Sequence, residues 1–267
     1  MIYSLYKDFF NFLKIMNTEE NRWKSFEHQY YGKHREFLSH IWFNFQGYTK
    51  RNIRERVELI KPGDYSSLES GLMHYDIEST TGLTISRCEK FLSHAGICDV
   101  YLFIGFFSPD AFVAPYRDAH VICVGLERFQ SFTHYPLLIA HEFCHYVLNE
   151  IYGPGSEGMA SRLVREGICV YFSKLVFPGK KENQYLFMKE KKYHDLVRQY
   201  PNILEKLLKE EDSIGDIFHA QYDALPSRAG YFIGYTVVND YIKRTGNSDI
   251  AYLIDHQDSI FMDLHHW

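Results

Sequence analysis

Up to about residue 96 the apolar positions of the chain recur mostly at helical intervals, with breaks expected at KPGD (61–64) and TTG (80–82). Two runs then change character. DVYLFIGFF (99–107) and HVICVGL (120–126) are β-branched and aromatic and predict strands, while the proline- and aspartate-containing SPDAFVAPYRDA between them reads as a loop. From Pro136 the helical period returns, with Leu138, His141, His145 and Leu148 on one face. GPG (153–155) stops this helix, and Ser156 is placed to N-cap a second one through EGMASRLVREGICVYFSKLVF. A charged, amphipathic pair of helices follows over roughly 181–211, and AGYFIGYTVVNDYIKRTG (229–246) forms another that ends at Gly246. Helices, a small sheet, then helices make the class α+β. The expected division is a helical N-terminal region, 1–95, and a second domain, 96–267.

Composition narrows the classes. At 267 residues, 46% hydrophobic and 24% charged, the chain is long enough for a sizeable core. Its 21 Tyr and 21 Phe suit an aromatic-rich core or an aromatic-lined cleft. A net charge of −5 without a basic block gives no reason to expect a nucleic-acid partner. No apolar run is long enough to span a membrane. The first segment is interrupted by Lys7, Asp8, Asn11 and Lys14, unlike a secretory signal. The five cysteines form no C-x-x-C pair and read as reduced thiols, so the expected compartment is the cytoplasm.

The chemistry concentrates in PLLIAHEFCHYVLNE (136–150). His141 and His145 stand four apart, one turn of helix, so two imidazoles face the same point and suit Zn²⁺. Glu142 is rotated about 100° from His141, beside that point rather than at it, where a carboxylate takes a proton from water. The plainer alternative is two core histidines, each satisfied by a hydrogen bond. A catalytic zinc site needs a third protein ligand and an open position. Glu166, 21 residues after His145 in RLVREGICVYF, is the candidate; the alternative is a surface glutamate paired with Arg162 or Arg165. Gly167 next to it allows a close approach of two helices or of substrate.

H-E-x-x-H with a glutamate on a downstream helix resembles the gluzincin clan of zinc metallopeptidases. VICVGLERF, IAHEFCHYVL, REGICVYF and AGYFIGYTVV, in this order, are similar to a bacterial family of predicted zinc-dependent proteases of unknown function, over about residues 98–244. The resemblance implies a zincin-like fold, with an active-site helix beside a small sheet whose edge strand lines the cleft. Residues 120–126 match that strand, so a peptide or protein substrate is expected to pair there. It also implies a group that stabilises the oxyanion; Tyr231 and Tyr235 are the candidates, and Arg228 is the candidate for binding a substrate carboxylate or for the oxyanion itself. Against these, Gly230 and Gly234 four apart also mark close helix packing, which would make the tyrosines packing residues. His194 and His219 are weaker candidates. Thermolysin-like gluzincins carry an aspartate four residues after the glutamate ligand, where this chain has Val170, so support for the histidines must come from elsewhere. Cys144, inside the motif, is expected in the core, and no site is assigned to His265 or His266. The activity implied is zinc-dependent peptide hydrolysis with Glu142 as general base. A zincin-fold metal-binding protein without peptidase activity is the alternative.

Overall fold

The computed structural model describes residues 1–16, 21–93, 96–106, 108–153, 158–209 and 228–264. Ser156, Glu157, His219, His265 and His266 lie outside them. The helices are α1 (Tyr6–Ile15), α2 (Arg22–Phe26), α3 (Arg35–Ser39), α4 (Lys50–Leu59), α5 (Ser66–His74), α6 (Ile77–Cys88), α7 (Tyr135–Tyr152), α8 (Met159–Val176), α9 (Glu182–Tyr185), α10 (Glu190–Lys209), α11 (Ala229–Thr245), α12 (Ile250–Asp255) and α13 (Gln257–Leu264). The strands are β1 (Ile2–Ser4), β2 (Val100–Phe103), β3 (Ala111–Tyr116) and β4 (Ala119–Gly125). They form one mixed sheet in the order β1-β2-β4-β3, so the mostly helical α+β class holds.

The sheet corrects three expectations. β3 lies inside the stretch read as a loop; Pro115 disguises it, since proline cannot donate to a ladder and survives here only because β3 is an edge strand. β4 is not the edge. It pairs in parallel with β2 and antiparallel with β3, so Ile122–Val124 are paired on both sides and the strand lies inside the sheet rather than at its edge. A strand also opens the nominally helical N-terminal region: β1 pairs in parallel with β2, Tyr3 opposite Tyr101. One helical break was misplaced too. α6 runs through TTG, because the Thr81 hydroxyl donates to the Ile77 carbonyl at 2.6 Å, as helical threonines do, and meets the Tyr135 hydroxyl at 2.6 Å. The chain breaks instead before Asp76, whose carboxylate accepts from Ser79 N.

The described residues fall into two compact units, Met1–Ile85 with Ala95–Glu142, and Ser86–His94 with Phe143–Trp267. The second cut runs inside the continuous helix α7. The core of the first unit is aromatic: Phe9, Phe26, Tyr30, Trp42 and Phe106 pack ring against ring, all buried. Single π-helical turns, Glu27–Tyr31 and His40–Phe45, turn Tyr30 and Trp42 toward the chain after β2. There Tyr30 Oη donates to Ile104 O at 3.0 Å and Trp42 Nε1 to Gly105 O at 3.2 Å.

In the second unit α8 and α11 meet at two glycines. A Cβ on Gly167 would stand 2.1 Å from Gly234 O, and one on Gly234 would stand 2.1 Å from Leu163 O. The helices approach this closely only without side chains there. α11 closes at Gly246, in the left-handed conformation as a C-cap (φ 71°).

Candidate metal centre

α7 carries the motif because its apolar residues pack inward along most of its length while Gly153 ends it, with φ 73° and its N–H on Asn149 O. His141 is buried at 2% exposure and Glu142 at 7%. His145 stands one turn beyond His141, and its Nε2 lies 3.1 Å from Glu166 Oε2 on α8. Their side chains are 16% and 12% exposed, enough for a small opening to solvent. One ligand atom from each of His141, His145 and Glu166 comes within 4.8 Å of the other two.

Three such atoms converging from two helices fit a single ion. Two imidazoles and a carboxylate are the donor set of catalytic zinc sites that keep a fourth position open. The expectation that these three residues come together is therefore met in the geometry. Glu142 does not belong to the triad; its charge reaches Cys123 on β4, where burial first and then that carboxylate push the thiol well above its usual pKa. Cys144 is fully buried against Cys169, whose thiol is raised by burial, by Cys144 and by the Glu166 charge.

What holds α8 against α7 is a residue whose role the sequence left open. Arg165, 8% exposed, donates to Asn149 Oδ1 at 2.7 Å and Gly153 O at 3.2 Å. A cation at the carbonyl end of a helix also meets the negative end of its dipole. Arg165 therefore fixes the C-terminal end of α7 rather than pairing with Glu166. The only signal in sequence was an arginine amid apolar residues on a buried helix. Val170 is fully buried and supplies no polar atom.

The remaining candidates separate. Tyr235 is drawn into a polar cluster: its hydroxyl donates to Glu182 Oε2 at 2.5 Å and accepts from Lys174 Nζ at 2.8 Å. Burial, then Glu182, push its pKa up to about 12. Lys174 lies two turns beyond Glu166, roughly 12 Å along α8. Tyr231 and Arg228 stand together at the start of α11, the guanidinium carbon 5.9 Å from the Tyr231 ring centre and 5.6 Å from that of Phe187. Arg228 has a left-handed backbone (φ 69°), and its charge, after burial, lowers the pKa of Lys192. His194 on α10 packs against the Tyr193 ring.

Among the described residues no helix is long and apolar enough to cross a membrane. Residues 113–262, more than half of the chain, match the family described as "Predicted Zn-dependent protease (DUF2268)". Neither a curated protein nor a solved structure gives a match.

Proposed function

The chain belongs to that family, and from this premise we propose that it is a zinc-dependent metallopeptidase whose metal is held by His141, His145 and Glu166. The observation that carries the reading is the convergence of these three groups from α7 and α8. A zinc ion held there supplies Lewis-acid polarisation of the scissile carbonyl and lowers the pKa of water to about 7.

Glu142, beside the triad and largely shielded from solvent, takes the proton of the attacking water and passes it to the leaving amine. The peptide runs along the Ala111–Ala114 part of β3, which is last in the sheet order, because beyond it Pro115 has no N–H and its carbonyl already accepts from His40 Nε2 at 2.6 Å. Phe112 on β3 is the ladder partner of Cys123, the β4 residue that feels the Glu142 charge. We assign oxyanion stabilisation to Tyr231 and recognition of a substrate carboxylate to Arg228. Tyr235, whose hydroxyl proton already serves Glu182, takes a packing role. Five buried free thiols fit a reducing compartment such as the cytoplasm.

The test is hydrolysis of a peptide library, read by mass spectrometry, with zinc content measured on the same samples. Glu142→Gln should keep the metal and lose roughly 10²–10⁴-fold in rate. Equal cleavage by parent and variant excludes this mechanism. A parent that holds zinc and cleaves nothing is instead a metal-binding partner protein.

A further inference from the structure

A cavity of about 360 Å³ in the first unit lies apart from the motif residues, and Glu127 lines it. Glu127 follows β4 in VGLERF, a motif the proposed reaction does not use. Both its carboxylate oxygens accept from Gly105 N at 3.1 Å, and Phe106 N–H contributes as well. Phe106 holds a left-handed backbone (φ 63°), a strained conformation for a phenylalanine, which turns this loop toward the carboxylate. Tyr30 and Trp42 pin the same loop from behind. What holds the carboxylate is backbone N–H groups rather than a cation. Arg128, whose charge Glu127 feels, directs its Nε at Asp110, 3.6 Å away.

The walls are aromatic. Tyr65 and Phe106 are buried and Phe129 is half-buried, and all three line the cavity with Glu127. Arg56, Asp64 and Arg128 sit at its exposed rim. A carboxylate below aromatic faces attracts an organic cation twice, by charge and through the ring quadrupoles. The volume suits a small molecule. We propose that this cavity binds a small organic cation, an alkylammonium or guanidinium group, with Glu127 as counter-charge and Tyr65, Phe106 and Phe129 as walls. This site is independent of the metal reading.

Burial holds Glu127 near pKa 7, above the ordinary carboxylate range. The groups around it are Tyr30, Tyr65, Arg56, Asp64 and Arg128, and both tyrosines stay neutral across the range used. A cation binds the ionised carboxylate, so affinity should be about tenfold weaker at about pH 6 than at about pH 8. The experiment titrates the full chain with n-butylammonium and n-butylguanidinium, and with butyrate as control, by calorimetry at both values. Saturable binding of the cations with that pH dependence, no binding of butyrate, and loss in Glu127→Gln is the expected result. Phe129→Ala, which leaves the loop hydrogen bonds intact, should weaken the cations at least several-fold even if the Gln variant folds poorly. Butyrate binding in preference to the cations would make this an anion site of Arg56 and Arg128. That result, unchanged cation binding in Glu127→Gln, or no cation binding to the folded parent overturns the proposal.

Discussion

Arg165 donates to Asn149 Oδ1 at 2.7 Å, which ties the residue before Glu166 to the residue one turn beyond His145. The ligand geometry proposed for zinc thus depends on a contact made outside the ligand set. Arg165→Met should lower zinc affinity about 10–100-fold, the usual cost of losing support behind metal ligands. Arg165→Lys, which keeps the charge but not the fork, should recover part of it. Competition titration against a chelating dye gives the affinities. Unchanged zinc affinity in Arg165→Met would show that the contact does not position Glu166.

The glycine pair makes a second prediction. Gly167→Ala places a methyl 2.1 Å from Gly234 O, a backbone atom that cannot swing aside. α8 must move from α11, at a cost of about 2 kcal/mol or more. Gly82→Ala is the control, since its Cβ would meet only Ile2 Cδ1 at 3.6 Å. Urea unfolding of the two variants should separate them clearly; equal midpoints would mean that the helices have room to spare.

Legibility in sequence followed the range of the interaction. The histidine pair could be read because four residues on a helix always make one turn, and Glu166 because the next helix had to return. β3 could not be read, since Pro115 and its charged flanks look like a loop until the pairing with β4 is known. The same pairing turned residues 120–126 from edge to interior. The break expected at TTG failed for a similar reason: Thr81 is held by Tyr135, 54 residues away. Glu127 carried no signal, because its importance arises only when Gly105 and Phe106 fold back onto it.

Glu127 also predicts a pH dependence of stability. Its folded pKa, about 7, lies above its ordinary value of 4.5. The folded state therefore holds a proton between those values that the unfolded chain has released. Stability contributed by this group is full below about pH 4.5, declines as pH rises, and is lost above about 7. The decline is on the order of 3 kcal/mol. Glu127→Gln cannot ionise, so its stability relative to the parent should rise between pH 5 and 8 in denaturant melts. A constant difference across that range would show that Glu127 titrates normally.

The two tyrosines should part company in kinetics. Tyr235→Phe removes a hydroxyl bound by Glu182 and Lys174 and should leave kcat within about twofold, whereas Tyr231→Phe should lower kcat by about 10²-fold, as loss of one oxyanion donor does. The reverse order in a steady-state assay would move the oxyanion role to Tyr235.

The central claim is that His141, His145 and Glu166 hold one zinc ion. Its most direct test is metal content by mass spectrometry of protein purified without added zinc. The parent, and Glu190→Ala, which alters an exposed glutamate paired with Lys181, should carry about one zinc per chain. The His141→Ala/His145→Ala double variant should carry none, and Glu166→Ala should lose most of it. Zinc retained at parental occupancy in the double variant would contradict the account.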